Sequence, residues 1–381
     1  MNQRSDPEVL IVGAGIVGAA CAAACTAAGW STTIVAKGIC DGATAAGMGH
    51  LVVMDDSPAQ FALTRSGTDL WRALAPQLPP AAEYDACGTL WLAADEAQLA
   101  IAETRCRAYL NYGVNAEVIS PQRLKELEPQ LVGNLAGALL VPNDAVIYPP
   151  AATGYFIAQA QSRGAHLERA EVAAVFADGV QLADGRRLTA KRVVVAAGIG
   201  SPALAPGIAV RPRKGHLIIT DRYPGFVRHQ LVELGYLTSA HGNANESVAF
   251  NVQPRHGGQL LIGSSRQFGT TDPKIETHLL DLMINAAERY LPGISGLQAL
   301  RCWTGFRPAT PDHLPLIGRS QSGVWLATGH EGLGITTAPA AARLLVELMQ
   351  GSTPHLPAEP FAADRFLHET ARETAHETAH A

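Results

Sequence analysis

The first residues whose spacing spells out a chemical role are Gly13, Gly15 and Gly18. They stand as Gly-x-Gly-x-x-Gly between the apolar run Val9–Val12 and an alanine-rich stretch beginning at Ile16 and Val17. A strand, a tight turn and a helix in that order predict a phosphate site. Gly13 permits the turn, Gly15 lets backbone approach a diphosphate, and Gly18 lets helix and strand pack closely. The positive end of the helix then faces the phosphates. NAD, NADP and FAD folds share this pattern, so it leaves the dinucleotide open. The second strand of such a unit should end in an acid that holds a ribose hydroxyl. Here "TTIVAKG" ends the strand at Ala36 and Lys37, with no acid. One lysine with no arginine beside it is a poor signature for the 2′-phosphate of NADP.

Three later stretches also carry chemistry. "CWTGFRPATPDHLPLIG" places Arg307 before a proline, "GHEGLGITTAP" leads a glycine-rich turn into an apolar helix, and "ATAAGMGH" brings a small-residue connection to His50. A guanidinium in a partly dry pocket suits a carboxylate. Glycines suit backbone that must pass close to a flat ring, where a β-carbon would hold it away.

These residues need elements to position them. The opening βαβ unit runs to Lys37. "PAQFALTRSGTDLWRAL" has apolar residues at helical spacing, "CGTLWLA" reads as a strand, and "DEAQLAIAETRCRAYLNYG" as a helix ending at Gly113. Ser120-Pro121 has the form of an N-cap and first-turn proline. Val193–Val195 is a continuous apolar run, expected in the middle of a parallel sheet. From Arg211 to Arg301, "HLIIT", "SVAFNVQP" and "QLLIGS" predict short strands of an antiparallel sheet. "GVWLATG" and "PAAARLLVELMQ" return to strand and helix, so the dinucleotide-binding part is discontinuous. The closing "HETARETAHETAHA" predicts a frayed or flexible tail over 367–381.

With 381 residues, 47% apolar and 17% charged, the chain has room for two domains and a large core. A net charge of −5 without a basic block argues against nucleic acid as a partner. No signal pattern precedes the first strand and no apolar segment is long enough to span a bilayer, so a soluble, cytoplasmic protein is expected. The cysteines at 21, 25, 40, 87, 106 and 302 form no CxxC pair and no cluster at metal spacing. They read as reduced structural thiols, and no metal is expected.

Taken together, "VGAGIVGAA", "RRLTAKRVVVAAGIGSPAL", "CWTGFRPATPDHLPLIG" and "VWLATGHEGLGITTAPAAARLL" resemble the D-amino-acid oxidase family of FAD enzymes in residues and in order, from Val9 to Phe366. The resemblance implies FAD and an α/β fold. A discontinuous Rossmann-like FAD-binding domain (1–85, 145–210 and 302–366) would carry an antiparallel β-rich substrate-binding domain (86–144 and 211–301). It also implies roles for residues of this chain. Thr44 and Ala45 would meet the diphosphate, and Gly47, Met48 and Gly49 would pass beside the isoalloxazine ring. Backbone of Ala36 and Lys37 would line the ribose site, backbone of Val172 would meet adenine, and Ala197 and Gly198 would end a strand near the cofactor. Amides of Gly332, Leu333, Gly334 and Ile335 would face the flavin N1/O2 edge, where negative charge develops on reduction. Relatives that bind flavin covalently use a cysteine where Gly305 stands, so the flavin should be non-covalent.

The same resemblance implies that Arg307 holds the substrate carboxylate while the α-hydrogen leaves as hydride to flavin N5, giving an imine. Asn251 stands where relatives place a substrate-touching tyrosine. His50 would contact substrate or deprotonate its amine. Glu331 replaces a loop arginine of glycine-oxidase-like relatives and would hold a substrate ammonium or hydroxyl if it faces the pocket. Arg266 would rim that pocket. "AAGMGHLVVMDDS" with "GHEGLGIT" is similar to the flavoprotein subunits of D-hydroxyproline dehydrogenases and opine oxidases. That implies a D-amino or D-imino acid dehydrogenase, with cis-4-hydroxy-D-proline as first substrate and electrons passed to other redox subunits or a respiratory-chain acceptor. The alternatives are a glycine/sarcosine-type oxidase using oxygen, and a non-catalytic flavin subunit of an electron-transfer complex. Arg307 favours catalysis, because a relay needs no carboxylate clamp.

Overall fold

Val9–Val12 is apolar at every position and wholly buried, because neighbours flank it on both edges and helices cover its face. A computed structural model describes residues 6–235 and 246–366. In it Val9–Val12 pairs in parallel with Thr32–Ala36 on one side and with Arg192–Val195 on the other. The full sheet runs Leu316–Arg319, Trp325–Thr328, Arg192–Val195, Val9–Val12, Thr32–Ala36, His166–Arg169, and only the first of these strands is antiparallel to its neighbour. The chain leaves Val9–Val12 in one direction and later returns on its other edge. Ligands of open parallel sheets bind at such a switch point, beyond the carboxyl ends of the strands. The alanine-rich helix Ile16–Ala27 follows directly. Its small side chains let Pro149–Ser162 and Gly334–Gln350 pack closely against it in the main core.

The second layer is an eight-stranded sheet in the order Ala299–Ala309, Arg211–Thr220, Leu260–Gln267, Glu246–Pro254, Gln230–Glu233, Thr89–Ala93, Gly137–Val141, Glu117–Ile119. It is antiparallel, as the short strands separated by turn residues predict, except where Gln230–Glu233 runs parallel to Thr89–Ala93. Two differences from the expected boundaries follow from pairing. Ala299–Ala309 is one strand of eleven residues that pairs with Arg211–Thr220 along its length, so the chain leaves the large sheet after Ala309 and not at 302. The last long helix begins at Gly334, five residues before Pro339. Pro339 has no N–H, so the Ile335 carbonyl loses its helical donor. The Trp71 indole supplies the bond instead, Nε1 donating to Ile335 O at 2.8 Å.

A three-stranded antiparallel sheet, Val172–Phe176, Gly179–Leu182 and Arg187–Thr189, lies beside the parallel one. All six cysteines are free thiols. Among the described residues no helix is long and apolar enough to cross a membrane. The tail expectation for 367–381 lies outside the described residues.

Candidate active site

At the switch point two of the three glycines are required by contact. Gly13 has φ +114°, and a β-carbon there would lie 2.4 Å from Ala196 O; one at Gly18 would lie 2.1 Å from Gly13 O. Gly15 differs, since a β-carbon there would meet nothing closer than Thr44 Oγ1 at 3.2 Å. The helix start it precedes has no side-chain cap and no acid in its first turn. Thr44 Oγ1 accepts from Ile16 N at 3.1 Å, which ties the connection after the second strand to this turn. Ala45 lies beside Thr44 in the short helix Ala43–Ala46. Ala197 and Gly198 follow Arg192–Val195 at the same end of the sheet. Ala36 ends Thr32–Ala36, and Lys37 is a surface residue whose ammonium pairs with Glu171 at 3.0 Å, next to Val172.

The segment from Ala46 to Met54 crosses between the two sheets and is held from both sides. Trp303 Nε1 donates to Ala46 O at 3.1 Å, and Gln253 Nε2 donates to Met48 O at 2.7 Å. Thr336 Oγ1 donates to His50 O at 2.9 Å, and Val53 N donates to Asp144 Oδ1 at 3.2 Å. The glycines expected to face a ring also have protein neighbours. A β-carbon at Gly49 (φ +100°) would lie 1.9 Å from Ile147 O, one at Gly47 3.0 Å from Ile335 Cδ1, and one at Gly305 2.4 Å from Ala46 Cβ. Met48 is buried against Leu217 and Leu261 of the large sheet.

Beyond this segment a cavity is lined by His50, Val52, Met54, Asp56, Gln60, Trp91, Val232, Asn251, Arg266, Arg307, Glu331, Gly332 and Leu333. The structure thus brings His50, Asn251, Arg307, Glu331 and Arg266 to one place from five segments. Arg307 comes from the edge strand, and Gly215 on the neighbouring strand, two residues from its register partner Arg213, leaves room for it, since a β-carbon there would lie 2.3 Å from Arg307 Nη1. Arg307 Nη1 donates to Ser265 O at 3.2 Å.

Glu331 departs from expectation. It faces the cavity, but its carboxylate is taken by the Arg213 guanidinium on one oxygen and by His313 Nδ1 at 2.8 Å on the other. Arg213 is 2% exposed. Burial pushes the Glu331 carboxyl up, but His313 and Arg213 outweigh it and hold the group down at about 2. Its carboxylate is committed to a buried ion network and is not offered to a substrate ammonium. Burial lowers His50 below the usual imidazole range, Arg307 adding to the effect, so the ring is neutral near pH 7. Sequence reading missed Gln230, Arg213, His313, Trp91 and Asp56; His313 lies in the stretch around Arg307 and Asp56 in the stretch after His50, but neither was singled out there. Elsewhere Glu246, Glu276 and His278 offer atoms within 4.8 Å of one another, but Lys214 Nζ lies 2.9 Å from Glu276, making an ion-pair cluster.

A parallel dinucleotide-binding sheet, a glycine-led helix with no acid in its first turn at the switch point, and a guanidinium-bearing cavity beneath a second sheet define a dinucleotide-dependent enzyme. The model of the FAD dependent oxidoreductase family (DAO) matches residues 8–348, and the chain belongs to that family. FAD is therefore its cofactor, and the glycine-led helix start with no acid in its first turn fits a diphosphate. Over 377 residues the chain is 27% identical to a glycine oxidase of Pseudomonas aeruginosa, covering 93% of this chain and 98% of that one. The crystal structure of glycine oxidase from Geobacillus kaustophilus superposes with a TM-score of 0.84 at 24% identity, covering 95% and 99% of the two chains. That of L-proline dehydrogenase from P. horikoshii gives 0.85 at 23% identity, covering 96% and 99%. These superpositions show a shared fold.

Proposed function

We propose that this chain dehydrogenates a small α-amino or α-imino acid, with cis-4-hydroxy-D-proline as the first substrate to test. Arg307 in the cavity is the observation that carries this reading. A guanidinium there pairs with a carboxylate in bidentate fashion and fixes the neighbouring carbon. Val52, Met54, Trp91, Val232 and Leu333 line the same space and exclude water, which strengthens that pairing. His50 is neutral and Asn251 stands beside it, so an uncharged amine meets hydrogen-bonding partners and no competing cation from the imidazole. Bound FAD supplies the hydride acceptor. Leu333 N already donates to His330 O at 3.0 Å, but the amides of Gly334 and Ile335, at a helix start with no side-chain cap and no acid in its first turn, suit the flavin edge that gains negative charge. Gly305 has no side chain to attach to flavin, which supports non-covalent binding.

A glycine oxidase reading has comparable support, because a relative of that name is 27% identical over nearly the full length of both chains. The visible spectrum of the holoprotein, taken anaerobically with cis-4-hydroxy-D-proline, its L-epimer, D-proline and glycine, separates the readings. Bleaching by the D-hydroxyproline with slow reoxidation in air is the expected result, electrons then passing to a partner protein or respiratory acceptor. Bleaching by glycine with rapid oxygen uptake would establish an oxidase. A yellow protein bleached by none would turn the assignment to a flavin subunit without catalysis.

A further inference from the structure

Gln230 does not reach the cavity, yet it is wholly buried and the three polar contacts of its side chain leave it one orientation. Its Nε2 donates to Ala145 O at 2.9 Å, and a carbonyl can only accept. Nε2 also lies 3.2 Å from Thr89 Oγ1, which accepts from it. The amide oxygen is thereby turned to His50, with Oε1 2.5 Å from Nδ1. An oxygen there requires a proton on Nδ1. In a neutral imidazole that leaves Nε2 as an acceptor, and Asn251 Nδ2 lies 3.1 Å from it. Asn251 must then present its amino group to His50. Its Oδ1 is left without a hydrogen-bond partner although the residue is only 4% exposed and lines the cavity. Buried acceptors are rarely left so, and the site is built for a donor.

We propose that Gln230 is a positioning residue. By holding His50 in the Nδ1–H tautomer it fixes the amide of Asn251, whose Oδ1 accepts an N–H from the substrate. The last step rests on the proposed function; the first two do not. Strand register explains the arrangement. Trp91, Val232 and Asn251 sit side by side on the cavity face, and Thr89 and Gln230 are paired one pleat further along the same face.

The test uses holoenzyme labelled with 15N-histidine, His50 being assigned by its absence from His50→Phe. The wild type should show a protonated Nδ1 and a lone-pair Nε2, and Gln230→Leu should move the proton to Nε2. A wild type already in the Nε2–H form, or an unchanged tautomer in the variant, would overturn the inference. Gln230→Glu, close in shape, covers the case of a misfolded Leu variant, since a carboxylate at Nδ1 should make the ring doubly protonated at neutral pH. Arg307, Arg266, Glu331 and Asp56 on the cavity side, and Asp144 behind Thr89, are common to both proteins and cancel in that comparison. With whichever amino acid bleaches the wild type, Gln230→Leu should raise the half-saturating concentration about tenfold while changing the limiting rate less. Gln230→Glu should gain a pH transition absent from the wild type, its rate rising as His50 loses the extra proton. If no amino acid bleaches the wild type, the proposed function fails while the tautomer result still decides the role of Gln230. A moved tautomer with unchanged saturation would refute the contact between Asn251 and substrate alone.

Discussion

At the scale of single residues, two side chains carry opposite kinds of information. Arg307 is present where a carboxylate clamp is needed, and Ala36 is present where a ribose-binding acid is usual. Truncating one partner of a buried, hydrogen-bonded charge pair costs about 2–5 kcal/mol, or roughly one and a half to three and a half orders of magnitude in kcat/KM. Arg307→Ala should therefore abolish measurable flavin reduction at ordinary substrate concentrations while the protein remains yellow. Unchanged reduction would remove Arg307 from the mechanism. Ala36 leaves the adenosine ribose without a carboxylate on the second strand, and the nearby Lys37 is paired with Glu171. A charged acceptor at a hydroxyl contributes about 1.5–3 kcal/mol. Ala36→Glu should tighten FAD binding about tenfold or more, read by quenching of flavin fluorescence as apoprotein is titrated. Equal affinity would mean that another group already fills that place.

At the scale of elements, the helix Gly334–Gln350 and the turn before it depend on a contact from Pro58–Leu74. Gly67 lets the two helices approach so closely that a β-carbon there would lie 2.2 Å from Thr336 O. Trp71 completes the joint by bonding the carbonyl that Pro339 leaves without a donor. Replacing Trp71 with Phe keeps an aromatic ring but strands that buried carbonyl, at a cost of about 1–3 kcal/mol. The expected outcome is a lower Tm together with weaker FAD retention, since the same turn carries Gly332–Ile335. A lower Tm with FAD retention unaltered would separate the joint from the cofactor site. Glu331, Arg213 and His313 anchor this turn from the other side. An arginine from the large sheet thus helps hold a loop of the parallel-sheet layer.

At the scale of the whole molecule, Asp144 sits where the two layers meet, its Oδ1 accepting from Val53 N and the residue 1% exposed. Burial pushes its carboxyl from 3.8 up to about 7. Below 3.8 both folded and unfolded chains hold the proton, and Asp144 has no influence on stability. Between 3.8 and about 7 the unfolded chain gives the proton up first, so stability falls as pH rises. Above 7 the penalty is constant. Asp144→Asn keeps an acceptor for Val53 N and removes the titration. Its Tm should exceed that of the wild type by a margin that grows from pH 5 to pH 8, on the order of 1 kcal/mol or more at the upper end. A difference independent of pH would place the group outside the linkage.

The parts legible in the sequence were those whose cause is local. A strand, a glycine turn and a helix are specified by neighbours in the chain, and so the phosphate site could be read from Gly13, Gly15 and Gly18. The short strands and turn residues between Arg211 and Arg301 likewise implied the antiparallel layer. Arg307 was legible because its flanking residues form a compact motif. The tertiary structure decided what needs partners distant in the chain. His50 meets Gln230 across 180 residues and Asn251 across 201, and Arg213 reaches Glu331 across 118. No local pattern marks a buried glutamine as a holder of tautomers, or a loop glutamate as already paired. Hydrogen bonds and ion pairs act over a few ångströms whatever the separation along the chain, and only the packing of the two sheets brings such residues within that range.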